Sequence, residues 1–161
     1  MKAIKYLLLF VCVAACLSAC KKNSGLDDFD VVGQFNKDTT AIRAFAVANN
    51  IPVVKDPTFN IFYQILAPGE GGNVTTMSNI TVNYKGSLLD GTVFDETTSD
   101  KPLTFFLNTA ITGWQAGLPL IKKGGRIRLL LPSYYGYGNL ANKRIPANSV
   151  LDFTIDLIDV K

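Results

Sequence analysis

The sequence predicts an α+β domain in which a twisted antiparallel sheet wraps around one short helix, preceded by a short helical extension. Three observations carry this. Between Thr58 and Lys161 apolar and polar residues alternate in several stretches, the mark of half-buried strands. Within that region Trp114, Gly117, Leu118 and Ile121 fall at i, i+3, i+4 and i+7, which is one face of a short helix. Ahead of it, Asp38 precedes Ile42, Phe45 and Ala46 on one helical face, and Pro52 closes the segment; Asp38 is the expected cap of a helix running to about Asn50.

The chain opens with Lys2 and Lys5, then an apolar run from Tyr6 to Ala19 broken only by Ser18. Such a run is too short for a mature membrane span and reads as a signal over residues 1–19. Leu17-Ser18-Ala19-Cys20 resembles the bacterial lipobox, in which the Cys becomes the lipidated first residue of the mature chain. The resemblance implies a membrane-anchored lipoprotein. Lys21 in place of Asp after Cys20 points to the outer membrane of a diderm bacterium, on its periplasmic or its surface side. The alternative is an ordinary signal cut near Ala19. Either cut removes Cys12 and Cys16, so no disulfide is expected within the mature chain.

Residues 20–36 read as a tether, because Lys21 to Gly33 is polar, rich in small residues and without period. Its cluster of Asp27, Asp28 and Asp30 lacks the spacing of a calcium loop. Residues 37–57 form the helical extension, whose narrow apolar stripe predicts weak packing against the domain at 58–161. In that domain Phe59, Ile61, Tyr63 and Ile65 alternate with Asn60, Phe62 and Gln64 until Pro68-Gly69-Glu70-Gly71-Gly72 turns the chain. This glycine cluster lacks the Lys-Ser/Thr ending of a phosphate loop. Ile80, Val82, Tyr84 and Leu88 mark the next strand, and Asp90-Gly91 is a hairpin turn. Thr92 to Asp95 returns as a short strand. Leu103, Phe105 and Leu107 mark another after Pro102.

Lys123-Gly124-Gly125 stops the helix. Ile127, Leu129 and Leu131 then alternate with Arg126, Arg128 and Leu130, and Leu151, Phe153, Ile155 and Leu157 alternate with Asp152, Thr154 and Asp156. Arg126 and Arg128 are the outward residues of their strand, so a solvated face is the default for this basic cluster. Between the two strands lies Pro132 to Ser149, dense in Tyr, Gly, Asn and Pro. A loop of this length inside a compact domain is usually functional or disordered.

Composition narrows the chemistry further. Apart from Lys2 and Lys5 the chain has 14 basic and 13 acidic side chains, a balance that gives no reason to expect nucleic acid as partner. With no His and a single mature Cys that the lipid would consume, Ser-His-Asp and Cys-His triads, zinc centres and His acid/base chemistry are excluded, and no cofactor or metal is expected. Carboxylates, hydroxyls, backbone dipoles and an apolar pocket remain.

Seven motifs in order resemble the FKBP-type peptidyl-prolyl isomerases over about Met77 to Lys161. They are Val82-Asn83-Tyr84-Lys85-Gly86; Asp90-Gly91-Thr92-Val93-Phe94-Asp95; Gly113-Trp114 with Gly117-Leu118; Gly124 with Arg126; Pro132 through Tyr137-Gly138; Ile145-Pro146; and Leu151-Asp152-Phe153. The resemblance implies a half-barrel fold with an aromatic pocket of Tyr84, Phe94, Trp114, Tyr137 and Phe153, Trp114 lying beneath the prolyl ring. It implies Asp95 as the carboxylate near the substrate carbonyl, Tyr137 as a hydroxyl that binds a carbonyl, the Ile111 N–H as a second donor, and Ile145 as an apolar lip. The sequence departs from the pattern in three places. Leu103 stands where many members have phenylalanine, Asn108 to Ile111 is a shorter segment, and Arg144 replaces an apolar residue. A macrolide is implied as a candidate ligand of the pocket, and a monomer is expected.

Isomerisation asks little of the side-chain inventory. The barrier of roughly 18–20 kcal/mol comes from lost amide resonance, with no proton transfer and no covalent step. A site must bind the twisted amide better than the planar one. The expected function is therefore peptidyl-prolyl isomerisation of exported, proline-containing polypeptides, with Asp95 and Tyr137 as the catalytic pair. The alternative is a chaperone-like module that uses the same pocket for a partner without turnover. A carboxylate hydrolase built on Asp90 and Asp95 is the weakest reading, because Asp90 occupies the hairpin turn. Taken singly, Tyr84, Phe94, Trp114 and Phe153 are also ordinary core residues.

Overall fold

The structure is a computed structural model that describes residues 29–161. The signal segment, Cys20 and most of the tether lie outside the described residues. Among the described residues no helix is long and apolar enough to cross a membrane.

The first helix, α1, spans Val31–Ala48. It begins before the tether expected over 20–36 has ended, and its cap is Asp30, whose Oδ1 accepts from the Gly33 N–H at 2.8 Å. A carboxylate before the first turn satisfies an otherwise unpaired helix donor and meets the positive end of the helix dipole. Asp38, the expected cap, instead lies inside the helix and is buried. The buried face also holds Thr39, Ile42 and Ala46, with Phe45 packed beside them. The helix ends where the Asn49 N–H returns to the Phe45 carbonyl and Asn50 turns left-handed at φ 52°.

Seven antiparallel strands form one open sheet: β1 (Val54–Lys55), β2 (Phe62–Ala67), β3 (Asn79–Leu88), β4 (Val93–Glu96), β5 (Leu103–Phe106), β6 (Arg126–Leu131) and β7 (Leu151–Val160). The spatial order is β1-β2-β6-β7-β3-β4, and β5 shares the β3 edge with β4. β4 pairs with the Lys85–Ser87 half of β3, and β5 pairs with Asn79–Val82. The second helix, α2 (Thr112–Gly117), is a turn and a half that continues into a 3₁₀ turn over Leu118–Leu120.

The sheet begins earlier than Thr58, since Val54 and Lys55 already pair with Tyr63 and Phe62. Residues 56–60 are a turn. The Asp56 side chain accepts from the amides of Thr58 and Phe59, and Asn60 adopts φ 56°. Such local side-chain bonds compete with strand geometry, so Phe59, expected in the strand, is left exposed.

The inner face of the sheet carries the main core. Ile61, Ile80, Val82, Ile127, Leu129, Leu131, Leu151, Phe153, Ile155 and Leu157 close over Trp114 and Leu118 of the helix. Close approach of α2 depends on glycine, because a Cβ on Gly117 would sit 2.6 Å from the Leu129 side chain. The outer face has a second, smaller core in which Phe62 and Leu130 pack with Ile42, Ala46 and Val150. Phe62 and Leu130 are cross-strand partners, and α1 covers both. The packing expected to be weak is a closed apolar layer, with Ile42 fully buried.

Candidate active site

The inner face does not close completely. At its β3–β4–β5 side lies a cavity of about 390 Å³ lined by Tyr84, Phe94, Asp95, Leu103, Phe105, Ile111, Trp114, Tyr137 and Phe153, with Thr109 and Ala110 completing the wall. Strand periodicity sets which side chains reach it. Tyr84 on β3 and Phe153 on β7 both point inward because Tyr84 pairs with Ile155 and Gly86 with Phe153 in one register. Trp114 enters from below, on the only helix against the inner face among the described residues.

The floor is a set of edge-to-face aromatic pairs. The Trp114 ring lies 5.0 Å from Tyr84 and 5.2 Å from Phe153, both near perpendicular, and Phe94 meets Phe153 at 5.5 Å. These arrangements match the ring quadrupoles. Gly86 makes them possible. A Cβ there would stand 2.6 Å from the Phe94 ring and 2.7 Å from Phe153. The floor thus offers a ligand a largely aromatic surface, while the indole N–H of Trp114 is buried with no acceptor among the described residues.

Polar groups sit at the mouth. The Tyr84 hydroxyl donates to Asp95 Oδ2 at 2.6 Å, which fixes the orientation of an otherwise exposed carboxylate. Burial first, then this hydrogen bond and the Asp95 charge, push the Tyr84 phenol well above the ordinary tyrosine range. Tyr137 is shifted the same way, by burial and then by the Asp95 charge. Both hydroxyls therefore stay protonated across the physiological range and can act as donors. Ile111 precedes α2 as its N-cap residue, and its backbone N–H faces no acceptor among the described hydrogen bonds.

Eight of the nine sequence-expected pocket residues thus come together around one cavity. Ile145, expected as the apolar lip on the long loop, lies outside this lining and is buried in the main core at 6% exposure. It lines an adjoining hollow, which shares Phe94, Asp95 and Tyr137 with the cavity and continues past Asn142, Lys143 and Arg144. The reason is a tight turn: Asn142 and Ile145 exchange two backbone hydrogen bonds, which tucks Ile145 under the loop and leaves Lys143 and Arg144 at its tip. Leu103 lines the mouth and stays 44% exposed. Three wall residues were not among the candidates. Of these, Phe105 is signalled by its alternation with Leu103 on one strand; its ring lies 5.9 Å from Trp114 and supplies aromatic surface on the same strand as Leu103. Nothing in the sequence pattern marks Thr109 or Ala110.

Arranged this way, the site has an apolar floor sized for a small ring, one oriented carboxylate, and phenol and amide donors around the rim. It can grip an amide and disfavour its charge-separated planar form.

Comparison with known proteins agrees with this geometry. Residues 71–158 match the family model described as FKBP-type peptidyl-prolyl cis-trans isomerase. The chain is 46% identical over 110 residues to the FKBP-type peptidyl-prolyl cis-trans isomerase FkpA of Buchnera aphidicola (subsp. Schizaphis graminum), which covers 67% of this chain and 44% of that relative. The chain therefore spans less than half the length of this curated relative. The crystal structure of FkpA from Escherichia coli superposes with a TM-score of 0.71 at 38% identity, covering 82% of this chain and 61% of that one. A peptidyl-prolyl cis-trans isomerase structure from Pseudomonas syringae pv. tomato gives a TM-score of 0.66 at 32% identity, over 78% of this chain and 95% of that one.

Proposed function

The chain belongs to the FKBP-type peptidyl-prolyl cis-trans isomerases, and we propose that it catalyses rotation about X-Pro bonds of exported polypeptides in the Trp114 cavity. The observation that carries this reading is the joining of an aromatic floor with the Tyr84–Asp95 hydrogen bond at its mouth. The prolyl ring stacks on Trp114 between Tyr84, Phe94 and Phe153. The preceding carbonyl turns out of the amide plane beside Asp95, whose charge is held in place by Tyr84. Tyr137 and the Ile111 N–H hold the flanking carbonyls, so that the chain on either side of the bond stays fixed while the amide rotates.

Catalysis in this scheme is differential binding. The planar amide is the more dipolar form and loses more on leaving water. Each tenfold acceleration needs about 1.4 kcal/mol of preference for the twisted state, within reach of a few hydrogen bonds and ring contacts. Unfolded X-Pro bonds hold roughly 10–30% cis isomer, which makes chains newly delivered across a membrane suitable substrates. Cys20 as a lipidated N-terminus would hold the enzyme at the outer membrane.

The test is proline-limited refolding of a reporter protein. The slow phase should accelerate in proportion to added enzyme, and Asp95→Ala and Tyr137→Phe should each remove about tenfold of that effect, or about 1.4 kcal/mol. Binding of the unfolded reporter without acceleration would replace the enzyme reading with that of a partner-binding module. The anchor is tested separately. A fatty-acid analogue should label the wild-type chain in cells and leave Cys20→Ser unlabelled; equal labelling of both would sink the anchor.

A further inference from the structure

The carboxylate of Asp38 is buried at 3% exposure in the middle of a helix, where nothing in the isomerase reading uses it. Its partners lie far away in sequence. Oδ2 accepts from the backbone N–H of Ser133 at 2.8 Å and from the Ser133 hydroxyl at 2.6 Å, and Oδ1 accepts from Gln34 Nε2 at 2.6 Å. Ser133 is equally buried. A carboxylate taken out of water costs several kcal/mol unless donors replace its hydration, so three donors on this group define one geometry for α1 against the loop.

Ser133 is the point from which Tyr137 hangs. Its carbonyl oxygen accepts from the N–H groups of both Gly136 and Gly138, each at 2.9 Å, the two residues that flank Tyr137. The Gly138 carbonyl in turn accepts from Asn148 N–H at 2.9 Å. One residue therefore faces α1 with its donors and the Tyr137 turn with its acceptor. The Phe35 ring of α1 meets Tyr135 edge-on at 6.1 Å, a second contact between the same two elements.

We infer that Asp38 is a positioning residue for catalysis: through Ser133 it clamps the loop that carries Tyr137, making α1 a working part of the site. This inference rests on the proposed role of Tyr137. It also means that a displacement of α1 reaches the pocket through two hydrogen bonds. Shifts near 1 Å in a positioning group can cost on the order of a hundredfold in rate, so a loosened turn is felt even though it is not lost.

Amide hydrogen exchange on the full chain tests the clamp without reference to turnover. Asp38→Ala should speed exchange at Gly136 and Gly138 by about tenfold or more while the β7 amide of Ile155 keeps its protection. Asp38→Asn should restore protection, because its oxygen can serve Ser133 while the Gln34 amide turns over to accept from its nitrogen. Ser133→Ala, which keeps the backbone bond, should give a smaller effect and serves if Asp38→Ala fails to fold. In the refolding assay Asp38→Ala should lower kcat/KM about tenfold, and this loss should shrink to near nothing in a Tyr137→Phe background. Unchanged exchange at Gly136 and Gly138 would overturn the clamp. Faster exchange with an equal activity loss in both backgrounds would overturn its route through Tyr137. A wild-type chain with no refolding activity would instead strike the isomerase reading, leaving the exchange data to decide the clamp.

Discussion

The two faces of the sheet both carry apolar side chains and end in opposite states. On the outer face Phe62 and Leu130 are sealed by Ile42 and Ala46 of α1. On the inner face the helix that meets the sheet is only six residues long, and around its first turn the rings of Tyr84, Phe94, Trp114 and Phe153 line an open cavity. A long helix fills the groove it covers. A short one, brought close by Gly113 and Gly117, leaves room. The inner opening is thus a consequence of helix length and of glycine, and the outer face supplies the rigidity that an open core gives up.

Truncation on each face should separate binding from support. Trp114→Ala removes the floor and should cost about 3–5 kcal/mol of stability, with isomerase activity lost in the fraction that remains folded. Ile42→Ala should cost about 2–4 kcal/mol, yet the folded protein, in which the Asp38 bonds to Ser133 remain to hold α1, should keep activity within about twofold. Urea unfolding reports both: Trp114 is the sole tryptophan, so fluorescence serves the Ile42 variant and circular dichroism the Trp114 variant. If Ile42→Ala loses activity as Trp114→Ala does, the two faces are not separable.

This contrast was half legible in the sequence. The inward residues of β6 and β7 follow from period two alone, since Ile127, Leu129, Leu131, Leu151, Phe153 and Ile155 are all core. The same period assigns Leu130 and Phe62 to the outside, and period has no means of showing that a helix returns to cover them. Two large apolar residues on an otherwise charged face were the available signal. The start of α1 was hidden for a related reason. Asp30 followed three residues later by Gly33 is a weak cap pattern, and Val31 and Val32 remain exposed, so no apolar stripe announces the first turn. Asp38 is indistinguishable from a cap until its partner Ser133, far along the chain, is brought beside it. The pocket residues were legible because they rest on a family pattern; Ile145 departs because its burial depends on a backbone turn that pattern does not encode.

Charge sharpens the comparison on the outer face itself. Arg128 forks onto Asp152 with bonds of 2.9 and 2.6 Å, beside the helix-covered patch, where the Asp152 side chain is only 9% exposed. Its guanidinium also lies 5.8 Å from the Phe45 ring centre. Arg126 meets Asp156 at 3.4 Å with both side chains about half exposed. Arg128→Met strands a largely buried carboxylate and should cost about 2 kcal/mol, and Arg128→Lys should rescue it poorly for want of the fork. Arg126→Met should change stability by less than about 0.5 kcal/mol. Equal effects in urea unfolding would mean that α1 does not shield its flank of the sheet.

At the cavity mouth the expected effect is modest and has its distinguishing signature in alkali. Tyr84, Tyr135 and Tyr137 are all pushed upward in the fold, each chiefly by burial. A raised tyrosine holds its proton in the folded state after the unfolded chain, near pH 10, has begun to release it. Above that point the unfolded state binds fewer protons than the native one, so stability falls as pH rises. Below it the contribution is fully present and flat. Tyr84→Phe removes one of these protons together with the hydrogen bond to Asp95, which should cost about 1 kcal/mol at neutral pH and make the alkaline decline shallower. Urea midpoints measured from about pH 8 to pH 11, wild type against Tyr84→Phe, read the difference in slope. Ile42→Ala should shift the whole curve down with its slope intact, because the outer core contains no phenol. An unchanged slope in Tyr84→Phe would place the alkaline sensitivity at Tyr135 and Tyr137 on the long loop, and would make the Tyr84–Asp95 pair a bystander to the alkaline loss of stability.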